Sequence, residues 1–182
     1  MRTIMPSLLA GLILTACAAV PPQTASCSHN GQAPVLRPDL PPALESSPGH
    51  IVWPADEGFA PGTLPVIVQP GALLDRFGDN AGRFFSPKGT GYRERSLPYV
   101  CQGYAYATYR VVKPLPALLG TATPWFGEPG GAVQVETTAC VNQLLATGVL
   151  QVILDSSPPP CSSQQRSASA AVQKSRRFMH KT

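Results

Sequence analysis

The residues with the widest chemical range in this chain are its five cysteines and three histidines. Cys17 closes an apolar stretch, and Cys27, Cys101, Cys140 and Cys161 follow at spacings that match no common zinc-ligand pattern. A catalytic thiol would need a basic neighbour. His29, His50 and His180 stand in Pro-, Gly- or tail-rich surroundings, and none is an obvious partner. Four cysteines in an exported domain read instead as two disulfides. Three pairings are possible; the expected one joins Cys27 to Cys161, which would tie the two ends, and Cys101 to Cys140. Arg76 and Arg95 directly follow the acids Asp75 and Glu94, and by themselves read as members of structural ion pairs. If 132–137 is a strand, Gln134 and Glu136 share one face, about 7 Å apart, with Val133 and Val135 on the other.

The net charge of +4 is unevenly spread. Residues 28–161 hold eight Lys/Arg against ten acids, a net of −2, whereas 162–182 hold five Lys/Arg and no acid. The basic character is partly a property of the tail, so nucleic-acid binding does not follow from it. Met1-Arg2 followed by the apolar Pro6–Ala16 run resembles an export signal, too short to span a bilayer. Leu14-Thr15-Ala16-Cys17 resembles a lipobox, which would make Cys17 a lipidated N-terminus and the only link to a membrane; Ala16-Cys17-Ala18 also suits ordinary signal cleavage. Either route places the mature protein outside the cytoplasm, secreted or anchored to the cell envelope.

These residues need a scaffold. With 21 prolines and 16 glycines in 182 residues the chain cannot be mostly helical. The expected organisation is a signal peptide at 1–17, a Pro-rich linker at 18–48, one domain at 49–161 and a basic disordered tail at 162–182. Within the domain, strands are expected at 66–69, 104–112, 132–137 and 149–154, with another short one near 121–123. Residues 140–146 read as a short helix capped by Gly148. The fold class is α+β and strand-dominated.

Six elements in order then resemble a known family. They are Trp53-Pro54 with Gly58-Phe59, Leu74-Asp75-Arg76-Phe77-Gly78, Gly82-Arg83-Phe84-Phe85-Ser86-Pro87, Glu94-Arg95-Ser96-Leu97-Pro98, Tyr109 to Pro114, and Pro124-Trp125-Phe126-Gly127-Glu128-Pro129-Gly130-Gly131 with Gln134. Jointly they resemble the tuberculosis necrotizing toxin (TNT) family of NAD(P)+ glycohydrolases, which includes fungal surface NADases. The resemblance implies a compact antiparallel sheet with little helix, related to a reduced ADP-ribosyltransferase scaffold. It implies cleavage of NAD+ or NADP+ to nicotinamide and ADP-ribose or its 2′-phosphate, with the dinucleotide as substrate, no cofactor and no metal. An immunity protein is a possible partner.

The implied chemistry suits the residue types. Nicotinamide leaves as a neutral base and needs no general acid, so the site must hold the diphosphate, stabilise an oxocarbenium-like state and admit water. The resemblance assigns Arg76 and Arg95 to the phosphates, a task suited to bidentate guanidinium groups. It places Gln134 against the nicotinamide ribose, and Phe84 and Trp125 at the substrate. The chain departs from the family pattern at Ala107, where a histidine is usual, at Glu128 for a glutamine, at Val135 for an aromatic, and at Ala146-Thr147, where an acidic pair is common. Two alternatives stay open. One is a mono-ADP-ribosyltransferase, with Glu136 or Glu128 activating an acceptor; the other is a non-enzymatic envelope lipoprotein on a degraded scaffold, to which Ala107 points.

Overall fold

Proline and glycine interrupt the chain every few residues, and its strands are accordingly short. The computed structural model describes residues 25–29, 31, 33–154 and 157–161. The expected signal peptide with its Cys17 lipidation site, and the basic tail, lie outside the described residues. A small hairpin of β1 (Glu45–Ser47) and β2 (His50–Ile51) precedes β3 (Leu64–Val68), β4 (Leu73–Phe77) and β5 (Phe84–Pro87). Next come β6 (Tyr106–Val111), β7 (Leu115–Thr121), β8 (Val133–Glu136), the helix α1 (Val141–Ala146) and β9 (Leu150–Ile153). β3 to β9 form one seven-stranded sheet in the order β3-β7-β8-β5-β4-β6-β9, with every pair antiparallel. The expectation of a strand-dominated antiparallel fold with little helix therefore holds.

Side-chain alternation divides the sheet into two faces. Leu74, Phe85, Tyr109 and Val135 turn to one face and are buried with Val141 and Leu144 of α1 and with Leu150. Each such side chain contributes about 1.5–3 kcal/mol when fully buried, so this layer fixes the register of β4, β5, β6 and β8. In α1, Gln143 Oε1 accepts from the Cys140 N–H at 3.3 Å, and the chain leaves the helix through Gly148 at φ 65°. The opposite face carries Asp75 and Ser86, paired across β4 and β5, and Phe77; Ser86 and Phe77 border the functional site.

One strand differs from expectation. Lys113-Pro114-Leu115-Pro116 reads as a strand end with a short strand near 121–123, yet β7 runs from Leu115 to Thr121. Pro116 is tolerated because β8 pairs only with Leu118–Thr121, so the missing N–H falls where that side of β7 is an open edge.

The disulfides also differ from the expected pairing: Cys27 bonds to Cys140, and Cys101 to Cys161. β9 runs antiparallel beside β6, with Ile153 opposite Thr108, so the chain leaving β9 emerges near the loop that enters β6, where Cys101 lies. Cys140 sits at the start of α1, whose Asn142 Nδ2 donates to Ser26 O at 3.0 Å. In the stretch expected as a linker, Leu36 bridges to Tyr99, and Arg37 pairs with Asp39 and Glu128. Those contacts and the Cys27 bond fasten it to the domain.

Candidate active site

Three loops and the sheet enclose a cleft of about 700 Å³, within the range of small-molecule sites. Residues 53, 54, 56–58, 95–97, 99, 123 and 126 border it from the loops, and Arg76, Phe77, Phe84, Ser86 and Gln134 from the sheet. Four non-glycine residues among those described have positive φ: Asp56 (51°), Glu57 (53°), Ser96 (50°) and Phe126 (53°). All four line this cleft. Such conformations cost about 1–3 kcal/mol each and persist where the surroundings over-determine them, typically at functional sites. Here the surroundings can be named. Thr123 N donates to Gly58 O at 2.9 Å, Gln134 Nε2 to Glu57 O at 3.1 Å, and Ser96 Oγ to Thr123 O at 2.7 Å.

The two arginines singled out by sequence both reach the cleft, in different electrostatic states. Arg95, 9% exposed, makes a buried ion pair with Asp75. Its Nη2 also donates to Thr90 O at 2.9 Å, its Nε to the same oxygen at 3.3 Å, and its Nη1 to Asp75 O at 3.5 Å. A guanidinium has five N–H donors, so Arg95 keeps about one for a ligand. Asp75 is saturated in turn: Oδ2 accepts from Gly89 N–H and from Tyr106 O–H, each at 2.7 Å.

Arg76 is the contrasting case. It is 8% exposed, makes no ion pair among the described residues, and leaves its buried Nε without a partner. Its single hydrogen bond among the described residues is a stretched one from Nη1 to Phe84 O, 3.5 Å. Burial pulls its pKa below the usual arginine range, against the attraction of Tyr109, Tyr104 and Asp79. The guanidinium is housed by glycines. A Cβ on Gly82 would overlap its Nη1, Nη2 and Cζ, and one on Gly78 would lie 2.9 Å from Nη2. A buried cation without a counterion is costly unless an anion completes it. This cradle follows from Gly82 at the head of the Gly82-Arg83-Phe84 element, a role that sequence reasoning did not assign.

Gln134 and Phe84 line the cleft. Because Gln134 Nε2 donates to Glu57 O, its Oε1 is the end available to a ligand. The structure does not bring Trp125 to the cleft: its indole N–H donates to Val52 O at 2.9 Å, and the neighbouring Phe126 faces the cavity instead, edge-on to Trp53 at 5.4 Å. Ala107 also lies away from this cleft, opposite Arg76 in the β4–β6 register and beside a shallower cavity with Asp79, Asn80 and Asn142. The glutamates suggested for acceptor activation are not on the wall. Glu128 is buried between Arg37 and Arg93, and Glu136 faces Arg83 Nη2 at 3.3 Å, with burial raising its pKa. Sequence reasoning missed His29, Tyr99 and Tyr104, which also line the cleft. Burial pushes the Tyr104 phenol up to about 12, so it is a neutral donor at neutral pH.

A sequence model of the tuberculosis necrotizing toxin family matches residues 67–153, the span from β3 to β9. A conidial surface nicotinamide adenine dinucleotide glycohydrolase of Aspergillus fumigatus is 36% identical over 116 residues, covering 57% of this chain and 50% of that protein. The chain thus spans about half the length of this curated relative. The solved structure of tuberculosis necrotizing toxin complexed with its immunity factor aligns at 22% identity with a TM-score of 0.47, covering 54% of this chain and 60% of that one. Residues 67–153 are a domain of the tuberculosis necrotizing toxin family.

Proposed function

We propose that the domain is an NAD(P)+ glycohydrolase acting outside the cytoplasm. The observation that carries this reading is Arg76: a buried guanidinium with no ion pair among the described residues, at the wall of a cleft large enough for a dinucleotide. An anionic substrate completes it, and a diphosphate oxygen is the natural acceptor. The Aspergillus fumigatus relative, by its name, acts on a molecule of that class.

In the reaction, water adds to C1′ of the nicotinamide ribose as the C–N bond breaks. The bonding electron pair leaves with nicotinamide, which becomes neutral, and the water proton passes to solvent. Arg76 holds the diphosphate, and Gln134 Oε1 accepts a hydrogen bond from a ribose hydroxyl or from the attacking water. Phe84 packs against the nicotinamide ring. Arg95, tied to Asp75, frames the wall and offers its remaining N–H to a phosphate. The positions of Glu136 and Glu128 outside the cleft favour water over a protein acceptor. Two disulfides suit an oxidising compartment, consistent with export with or without a lipid at Cys17.

The test is depletion of NAD+ and of NADP+ by the purified protein without any protein acceptor. Free ADP-ribose should accumulate. Arg76→Ala and Gln134→Ala should each lower kcat/KM at least tenfold, about 1.4 kcal/mol of barrier. A folded wild type that leaves both dinucleotides intact defeats the proposal.

A further inference from the structure

We infer that the disulfide-fastened segment 25–29 is part of the substrate site, and that His29 meets the substrate diphosphate beside Arg76, an inference that rests on the dinucleotide reading of the cleft. The segment lies outside the span matched by the family. Three contacts hold it: the Cys27–Cys140 bond, the Asn142 Nδ2 donation to Ser26 O at 3.0 Å, and His29 Nδ1 on Asp79 at 3.0 and 3.2 Å. The start of α1 also organises the 79–82 turn, through Val141 N to Gly82 O and Asn142 N to Asn80 O, both 3.0 Å. One helix end therefore fixes both the strap carrying His29 and the turn cradling Arg76.

Charge balance gives His29 its role. A diphosphate brings two negative charges. Among the described cationic side chains near the cleft, Arg95 is held by Asp75, Arg83 by Glu57 and Glu136, and Arg37 and Arg93 by Glu128. Arg76 supplies one positive charge. The next cationisable group on the wall is His29. Asp79 interacts electrostatically with Arg76 and would repel a bound phosphate. Protonating His29 cancels that carboxylate and adds a donor.

The tautomer follows from chemistry. Burial pushes the Asp79 pKa up, but hydrogen bonds from His29 and from the Ala81 N–H outweigh it and leave the pKa below the usual range. Asp79 is thus an acceptor, and the proton sits on His29 Nδ1. His29 Nε2 makes no hydrogen bond among the described residues, and the side chain is 81% exposed. The groups facing this pair are Asp79 itself, Arg76 and Tyr104 behind it, and the neutral hydroxyls of Ser26 and Ser28 on the strap. Where free His29 is neutral, a bound diphosphate draws a proton onto Nε2, which then donates to a phosphate oxygen.

The test uses the product ADP-ribose as ligand, calorimetry in buffers of differing ionisation enthalpy, and the whole chain. Wild type should take up a fraction of a proton on binding, and His29→Ala should not. His29→Ala should bind about 5- to 10-fold more weakly near pH 6 and within about twofold near pH 8.5, as for one charge-assisted hydrogen bond at an exposed site. Cys27→Ser with Cys140→Ser, which keeps Cys101–Cys161, should show the same loss, and adding His29→Ala to it should change affinity by less than about twofold. If the double serine variant does not fold, the proton count of His29→Ala decides alone. If wild type hydrolyses NAD+ but His29→Ala binds equally and still takes up the proton, the role of His29 is refuted while the glycohydrolase reading stands. If wild type neither hydrolyses NAD+ nor binds ADP-ribose, both are refuted.

Discussion

Replacing Gly82 with alanine tests the Arg76 cradle without touching the arginine. Gly82 does not have positive φ, so its backbone accepts alanine. At such a position glycine to alanine ordinarily stabilises by about 0.4–1 kcal/mol, by restricting the unfolded chain. Here the added methyl overlaps the Arg76 guanidinium, which must move. It has little room: a Cβ at Gly78 would lie only 2.9 Å from Nη2, the Phe85 ring lies 6.0 Å from Cζ, and Phe84 O accepts from Nη1. The expected cost is that of overpacking, about 1–3 kcal/mol. The displaced guanidinium also loses its aim at the phosphate. One hydrogen bond from a charged donor is worth about 1.5–3 kcal/mol, so kcat/KM for NAD+ should fall about 10- to 150-fold. Urea unfolding reads the first quantity and initial rates of nicotinamide release the second. A double-mutant cycle separates this mechanism from general damage. In Gly82→Ala/Arg76→Ala the alanine methyl has nothing to displace, so the double variant should be no less active than Arg76→Ala and more stable than Gly82→Ala. Additive losses in activity would refute the reasoning, as would a Gly82→Ala protein matching wild type in both assays.

Asp75→Asn removes one partner of a fully buried ion pair and should cost about 3–5 kcal/mol in urea unfolding; a loss below about 1 kcal/mol would show that Arg95 is held by other contacts. Trp125→Phe should cost only its hydrogen bond to Val52 O, about 1 kcal/mol, and leave kcat/KM within about twofold. Phe126→Ala, by contrast, should destabilise by about 3–5 kcal/mol, because that ring is fully buried. A reversed order in either assay would return Trp125 to the site.

The fold was legible where local pattern and tertiary context agree. Val66–Val68, Tyr106–Val111, Val133–Glu136 and Leu150–Ile153 carry β-branched or aromatic residues at strand spacing, and each is a strand. β7 was obscured because Pro116 breaks local propensity, and only the short reach of β8 makes it acceptable there. The stretch 25–48 has linker composition, and its attachment depends on distant partners: Cys140, Tyr99 and Glu128. No local pattern encodes those, and the disulfide pairing depends on the same long-range geometry.

The site shows where motif reading stops. Arg76 and Arg95 each follow an acid in sequence, and each invites the same two readings, ion pair or phosphate ligand. Strand alternation separates them. Asp75 projects from β4 to the loop-covered face, where Arg95 closes on it, while Arg76 projects to the other face and meets Gly78, Gly82 and the Phe85 ring instead of a carboxylate. The alternation of β4 thus gives Asp75 to Arg95 and leaves Arg76 without an ion pair among the described residues. Asp75 does not line the cleft, yet its loss should disturb the wall by releasing Arg95.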